Sequence, residues 1–228
     1  MRLPPERIVE VATRQGPGRL LVAEASEPVA LLVLGHGAGG GTDAPDLLAL
    51  ASALPEVGVS VLRFEQPWRT AGRRIAVAPP LLDEAWLAGL TAVRAAVGAA
   101  LPLVTGGRSA GARVACRTAD VLGAAGVVCL AFPLHLPGRP ERSRLPELLG
   151  ATAPRLVLQG SRDTLGSATE VRQALEGAPA AVGVRLVELP RADHGFRTLK
   201  AASPGAAELR RRVVEEVARF VRGLVSTS

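Results

Sequence analysis

The chain has 228 residues, of which 48% are apolar and 21% are charged, and its formal net charge is +6. This apolar content excludes an intrinsically disordered protein, and a chain of this length buries about 70% of the surface that its unfolded form exposes. The longest apolar runs, residues 29–34 and 126–132, are shorter than the roughly 20 residues that cross a bilayer. Residues 1–6 lack the apolar stretch of a secretory signal. We therefore predict a cytoplasmic protein that does not bind a membrane.

The basic residues are 26 arginines and one lysine, Lys200, and they are spread along the chain among acidic residues. A protein that binds nucleic acid usually gathers its basic residues into a stripe or a tail. The even spread therefore predicts no nucleic-acid partner. The two cysteines, Cys116 and Cys129, lie in apolar segments, which predicts buried free thiols in a reducing compartment.

The predicted elements begin with an antiparallel hairpin, in which residues 7–12 and 19–23 flank the turn sequence Gln15-Gly16-Pro17-Gly18. Apolar runs then alternate with helical patterns. Most of these runs are apolar almost throughout, as in parallel strands that are covered on both faces, and the last one alternates as an edge strand does. The runs are residues 29–34, 59–64, 101–105, 126–131, 155–159 and 184–189.

The segments between these runs carry apolar residues at spacings of three and four, which place one apolar stripe on one face of a helix. The clearest stripes are in residues 47–57, 86–97 and 209–224. A hairpin followed by repeated strand–helix units predicts the α/β class, as a three-layer α/β/α sandwich with a mostly parallel sheet. We expect residues 1–228 to form a single domain without a separate cap domain.

The strongest local signal is the sequence Gly107-Arg108-Ser109-Ala110-Gly111, which follows a predicted strand and opens a helical stretch that runs to about Leu122. A strand before this pattern and a helix after it are typical of a nucleophile elbow. The turn needs both glycines because it is tight and side chains there would collide with neighbouring elements. Ser109 would then be exposed at the N-terminus of a helix, where the helix dipole and the Ala110 N–H stabilise developing negative charge.

A serine hydroxyl needs a base, and the chain offers three histidines: His36, His135 and His194. His194 follows the last predicted strand, where the base would arrive in the chain order serine, acid, histidine. The acid would follow the strand before it, as Asp163 does; taken alone, Asp163 fits an ordinary turn residue better, and only the joint pattern with Ser109 and His194 favours the acid. Asp193 is the competing acid, but it is the sequence neighbour of His194 and is expected to shape the loop instead.

A second donor for an oxyanion hole should come from the loop after the first parallel strand. That loop reads Gly35-His36-Gly37-Ala38-Gly39-Gly40-Gly41, and its glycines let a backbone N–H approach the substrate, which we predict to be that of Ala38. His36 is expected to organise this loop. The predicted chemistry needs no metal ion and no organic cofactor.

The same loop also matches a dinucleotide-binding fingerprint, Gly35-x-Gly37-x-x-Gly40, with Glu65 as a candidate ribose ligand. In that motif the glycines themselves open the helix, so that a phosphate lies at its N-terminus. Here Thr42 or Asp43 is predicted to be the N-cap, with Pro45 in the first turn, so the helix would start after the glycines. This alternative is therefore disfavoured.

Together these motifs resemble the α/β-hydrolase superfamily, and most closely its small, capless, dienelactone-hydrolase-like branch. The resemblance covers nearly the whole chain and implies that Ser109 is the nucleophile, Asp163 the acid and His194 the base. Dienelactone hydrolases have cysteine at the position of Ser109, so dienelactone specificity is not implied. Related epoxide hydrolases and haloalkane dehalogenases have aspartate there and are also disfavoured. The motifs are residues 35–39, 107–111, 160–163 and 193–196, with similar segments at 63–67 and 132–135.

Loops that leave the strand ends should line the substrate pocket, which makes Trp68, Phe132 and His135 the candidate substrate-binding residues. These loops also carry six arginines, which are either surface charges or a site for an anionic group: Arg69, Arg73, Arg74, Arg139, Arg142 and Arg144. We predict a serine hydrolase that acts on a small ester or thioester. Peptidase and acyltransferase activity use the same residues, and a catalytically silent binding or scaffold protein is the alternative from another class.

Overall fold

The computed structural model describes residues 6–97, 100–199 and 203–226 and contains ten strands in these ranges. Residues 1–5, which belong to the segment predicted to lack a secretory signal, and Lys200 lie outside the described residues. The strands are β1 (Arg7–Thr13), β2 (Gly16–Ala23), β3 (Ala30–Gly35), β4 (Val59–Glu65), β5 (Leu103–Arg108), β6 (Gly126–Leu130), β7 (His135–Leu136), β8 (Arg139–Ser143), β9 (Arg155–Gly160) and β10 (Val184–Leu189).

Seven α-helices lie between or after these strands in the described ranges, and short 3-10 turns occupy Leu54–Val57 and Pro179–Ala181. In the described part of the chain, no helix has both the length and the apolar content to cross a bilayer. The helices are α1 (Pro45–Ala53), α2 (Pro67–Thr70), α3 (Pro79–Val97), α4 (Ala110–Thr118), α5 (Leu145–Leu149), α6 (Ala168–Leu175) and α7 (Ala206–Val225).

Eight strands form one sheet in the order β1-β2-β4-β3-β5-β6-β9-β10. β1 and β2 form the predicted antiparallel hairpin, β2 joins β4 antiparallel, and the other neighbours are parallel. β3 lies between β4 and β5, so the order of the strands reverses there. Open α/β sheets place their sites outside the carboxyl ends of the strands at such a reversal.

Alternate residues of each strand face opposite layers of helices. In β3, Leu32 and Leu34 pack in the same cluster as α1 and α7, whereas Leu31 and Val33 pack in the same cluster as α3. The α4 and α6 helices cover the rest of that second face, against β6 and β9. The predicted three-layer α/β/α sandwich is confirmed, and it holds the carboxyl ends of the parallel strands along one edge.

The ends of several elements differ from the predictions, because the residues there show no regular spacing of apolar side chains. β5 begins at Leu103 and continues through two glycines to Arg108, and α4 ends at Thr118 rather than near Leu122. The hairpin turn is at residues 14–15, because each residue from Gly16 to Val22 is paired with β1. The β7–β8 hairpin and the short helices α2, α5 and α6 were not predicted, since they are too short to show a stripe.

The predicted N-cap of α1 at Thr42 or Asp43 is wrong. Ala44 is the cap, without a side-chain hydrogen bond, and Pro45 is the first helical residue. Proline has no N–H, so one of the donors that a cap would satisfy is already missing. The helix starts five residues after Gly40, so the glycines do not open it, as the dinucleotide fingerprint would require.

Leu32 tests how much the central strand contributes to stability. It is 0% exposed in the core, whereas Leu199 is 69% exposed. Leu32→Ala should lower the free energy of unfolding by about 2–5 kcal/mol, because it leaves a cavity. The matched change Leu199→Ala should cost less than about 0.5 kcal/mol. Urea unfolding measures both, and equal losses would contradict this packing.

Candidate active site

Ser109 lies in the turn between β5 and α4, with φ 52° and ψ −109°. A positive φ is rare for a residue with a side chain and marks a strained backbone. Its N–H donates to the Leu130 carbonyl at 2.9 Å, which ties the turn to β6. A Cβ on Gly111 would lie 2.4 Å from the Gly35 carbonyl oxygen, and one on Gly107 would lie 2.5 Å from it. Both glycines are therefore needed for α4 to pack this closely on β3.

Three side chains from distant parts of the chain form one line of hydrogen bonds. The Ser109 hydroxyl lies 2.9 Å from His194 Nε2, and His194 Nδ1 lies 2.8 Å from Asp163 Oδ2. The serine is half-buried, the histidine side chain is 28% exposed, and the aspartate side chain is fully buried. The structure thus brings together the three residues that the sequence singled out, in the order hydroxyl, imidazole, carboxylate.

Both oxygens of the Asp163 carboxylate accept hydrogen bonds. Its Oδ1 accepts the Leu165 N–H at 2.8 Å, and its Oδ2 accepts the Gln159 amide at 2.9 Å besides the histidine. Gln159 is a fully buried polar residue in β9, directly after the apolar residues 156–158. This change from apolar to polar within a buried strand was a signal in the sequence for a polar partner nearby. These donors fix the orientation of the carboxylate towards His194.

Asp193, the competing acid, takes part in its own loop instead. Its Oδ1 accepts the N–H groups of Gly195 at 2.7 Å and Arg197 at 2.8 Å. Its N–H donates to the Arg197 carbonyl at 3.0 Å. The aspartate therefore closes a tight turn around His194, which is the loop-shaping part that the sequence suggested for it.

The loop after β3 runs past the elbow. A Cβ on Gly37 would lie 3.6 Å from Ser109 Cβ, so the loop backbone passes beside the hydroxyl. Ala110 is the first residue of α4, where backbone N–H groups have no acceptor within the helix. Ala38 and Ser109 line the same cleft, and Ala38 and Ala110 line a small space behind it. Two candidate donors therefore lie on either side of the serine.

His36 fixes the start of this loop. Its Nδ1 lies 2.9 Å from the Gly37 carbonyl, and its Nε2 lies 3.2 Å from the Gln66 N–H. Because Nε2 accepts from a backbone donor, the proton of the neutral ring is on Nδ1, which donates to Gly37. Burial lowers the pKa of His36, so the neutral form is favoured. Its ring packs on Trp68 with a centroid distance of 5.5 Å.

Arg108, between Gly107 and the serine, joins three segments. Its guanidinium donates to Asp46 Oδ2 in α1 and to the His194 carbonyl. It also lies over the Phe196 ring, 5.0 Å from the centroid. The sequence analysis missed this residue, whose signal was a charged side chain inside an otherwise small-residue motif.

A cleft of about 680 Å³ opens in front of Ser109 and His194. Its walls come from the loop after β3, the start of α1, residues 194–198 and the first turns of α7. Its charged lining residues are Asp43, Asp46, Arg108, Arg197 and Arg210, and none of the six loop arginines considered above lines it. Among the described residues, no group of three or more His, Cys, Asp or Glu side chains is arranged to hold a metal ion.

The three residues predicted to bind substrate do not line this cleft. Trp68 is 4% exposed and packs beneath the loop against His36. Phe132 is fully buried among the residues around α4 and β6. His135 is 7% exposed, and its Nδ1 contacts the Leu136 carbonyl at 3.0 Å. Each follows a strand end as expected, but all three side chains are buried: Trp68 in α2, His135 in β7, and Phe132 in the irregular segment after β6.

Comparison with known proteins finds a family model, described as an alpha/beta hydrolase domain, that matches residues 28–222. A serine hydrolase without a lid from Xanthomonas campestris is 23% identical, with a TM-score of 0.69 over 96% of this chain and 98% of that one. A dienelactone hydrolase from Anabaena variabilis is 19% identical, with a TM-score of 0.70 over 94% and 97%. Esterase 2 from Thermogutta terrifontis, phosphorylated by paraoxon, is 15% identical, with a TM-score of 0.71 over 96% and 94%.

The buried, neutral His36 predicts a loss of stability in mild acid. Below about pH 6.5 the unfolded chain binds a proton on this ring that the folded chain resists, so stability falls as the pH falls through that range. The contribution is at most about 1.4 kcal/mol per pH unit. His36→Asn should remove it, so that urea unfolding between about pH 7.5 and pH 5.5 gives a flatter curve for the variant. Parallel curves would contradict the prediction.

Proposed function

Because this chain belongs to the α/β-hydrolase family, we propose that it is a serine hydrolase that cleaves a small carboxylic ester or thioester through an acyl-enzyme on Ser109. Family membership, which the resemblance predicted, supports a hydrolase acting on a small molecule. The observation that supports the finer proposal most is the line of hydrogen bonds from the Ser109 hydroxyl through His194 to Asp163.

In the first half of the reaction His194 Nε2 takes the hydroxyl proton while Ser109 Oγ attacks the substrate carbonyl carbon. The tetrahedral intermediate collapses, the bond to the alcohol or thiol breaks, and the imidazolium returns the proton to the leaving group. In the second half the same nitrogen takes a proton from water, which attacks the acyl-enzyme. The carboxylic acid then leaves and Ser109 regains its proton.

In this proposal Asp163 orients the His194 ring. Its carboxylate accepts from His194 Nδ1, which leaves Nε2 free to act on the serine, and it stabilises the imidazolium that forms during each half-reaction. The donors from Gln159 and Leu165 keep the carboxylate in this position. Asp163 does not itself take up the proton.

In this proposal the N–H groups of Ala110 and Ala38 form the oxyanion hole. Both belong to backbone that the glycine contacts and His36 hold in place, so little reorganisation is needed when charge develops on the substrate oxygen. Removing one such donor typically costs about 10²- to 10³-fold in rate. We propose further that the chain acts as a single domain without a cap, so that the open cleft admits a small substrate directly.

Covalent labelling tests the nucleophile. The Thermogutta esterase to which this fold is similar is phosphorylated by paraoxon, and a fluorophosphonate should likewise modify Ser109 in this chain. Ser109→Ala should abolish the label and lower ester hydrolysis by about 10³-fold or more. The matched change Ser143→Ala, at an exposed serine in β8, should leave both unchanged. A folded wild-type protein that stays unlabelled would instead favour the scaffold alternative.

Two aspartates separate the orienting acid from the loop residue. Asp163→Asn should lower kcat by about 10³- to 10⁴-fold, because an amide donor no longer holds His194 in the required tautomer. Asp193→Asn keeps an oxygen that can accept the Gly195 and Arg197 N–H groups, so its kcat should stay within about tenfold of wild type. Steady-state kinetics on p-nitrophenyl and thioester substrates measure both, and a larger loss for Asp193→Asn would reverse the assignment.

A further inference from the structure

Arg108 makes contacts that neither the hydrolytic step nor the fold requires by itself. It is the residue before Ser109, yet its guanidinium reaches α1 at Asp46 and the backbone of His194. These partners are 62 and 86 residues away in the chain. We propose that Arg108 is a positioning residue that holds His194 at the correct distance from Ser109, and that Asp46 anchors Arg108 for this purpose. This inference rests on the proposed function.

The pair is mostly buried, although both residues line the cleft. The Arg108 side chain is 12% exposed and that of Asp46 is 4% exposed. A charge in such surroundings is costly unless it is paired, so each residue depends on the other. Asp46 Oδ2 accepts a hydrogen bond from the Arg108 guanidinium, and Asp46 Oδ1 is buried without a hydrogen-bond partner. Among the described residues, Arg108 is therefore the one hydrogen-bond donor to the Asp46 carboxylate. The position of Asp46 in the first turn of α1 also suits a carboxylate.

The other end of Arg108 acts on the loop that carries the base. Asp193 closes this loop on itself through Gly195 and Arg197, which shapes the loop but does not attach it to the elbow. Arg108 supplies that attachment, through the His194 carbonyl and the face of the Phe196 ring. One residue thus controls both ends of the 2.9 Å contact between Ser109 and His194, since it is covalently joined to the first and hydrogen-bonded to the second.

The expected cost follows from geometry. Without Arg108 the His194 carbonyl loses its hydrogen bond to the elbow. The turn closed by Asp193 can then shift as a unit relative to Ser109, and the imidazole can pivot about its contact with Asp163. A misplacement of about 1 Å in a reacting group can cost roughly 100-fold in rate. Arg108 lines the cleft, but its guanidinium is engaged by Asp46 and the His194 carbonyl, so its removal should change ground-state binding of the substrate little. The loss should therefore fall on kcat and on the rate of covalent labelling, and much less on KM.

The test compares variants of Arg108 and Asp46 in the full chain by fluorophosphonate labelling rate and by kinetics on a short p-nitrophenyl ester. Arg108→Met should lower kcat and the labelling rate by about 10- to 100-fold, with KM within about threefold of wild type. Arg108→Lys keeps one charged donor and should recover part of the loss. Asp46→Asn should cost less, and the double variant should cost no more than Arg108→Met, because Asp46 acts through Arg108.

Arg113 provides the matched control. It lies in the first turn of α4, its side chain is 17% exposed, and it pairs with Glu147, outside the cleft lining. Arg113→Met removes an equally paired arginine and should leave the labelling rate and kcat unchanged. If Arg113→Met lowers both as much as Arg108→Met does, Arg108 is merely structural and the proposal fails.

Two further outcomes are decisive. Should Arg108→Met not fold, Asp46→Asn alone decides, and a wild-type labelling rate for it overturns the proposal. If the wild type is labelled and Arg108→Met is labelled at the same rate, Arg108 does not position His194. That result would overturn the inference about Arg108 but not the proposal of a serine hydrolase. A wild type that does not label would overturn the proposed function itself, so the two failures are distinguishable.

Discussion

The close approach of β3 to α4 is the constraint on which the site depends. Gly35 at the end of β3 meets Gly107 and Gly111 at distances where no Cβ fits, so the helix that follows Ser109 packs directly on the central strand. This packing forces the sharp turn that gives Ser109 its positive φ and directs its hydroxyl to the cleft. It also brings the loop after Gly35 alongside the hydroxyl. One backbone contact thus positions both the Ser109 hydroxyl and the loop whose Ala38 N–H is proposed as the second oxyanion donor.

The sheet then brings the remaining groups to the same edge. β9 and β10 are parallel neighbours, so the loops that carry Asp163 and His194 leave from adjacent carboxyl ends. Polar side chains from the interior hold these loops: Gln159 orients the Asp163 carboxylate, and Arg108 joins the elbow to the His194 carbonyl. Burial of these groups makes each hydrogen bond hard to replace by water. The geometry of the site is therefore a property of the packed sheet rather than of any single loop.

The sequence predicted the architecture well because fully buried parallel strands are apolar almost throughout, and because each flanking helix carries one apolar stripe. It could not predict where Trp68, Phe132 and His135 point, since their orientation depends on short elements with no repeating pattern. The partners of Arg108 were equally invisible, because no motif links Arg108 to Asp46 or to the His194 carbonyl. Ser109 and His194 are as far apart in the chain, but each lies in a motif that points to the other. A long-range polar contact without such a motif becomes visible only after folding.

One consequence concerns the edge of the sheet. In the described part of the chain β10 is paired with β9 alone, and its residues are less buried than those of the inner strands. The strand that leads to His194 is therefore the parallel strand with the fewest neighbours. Local unfolding of such an edge strand takes less free energy than global unfolding. Heating would then separate imidazole from hydroxyl while the inner strands stay intact, so that turnover ceases before circular dichroism registers unfolding.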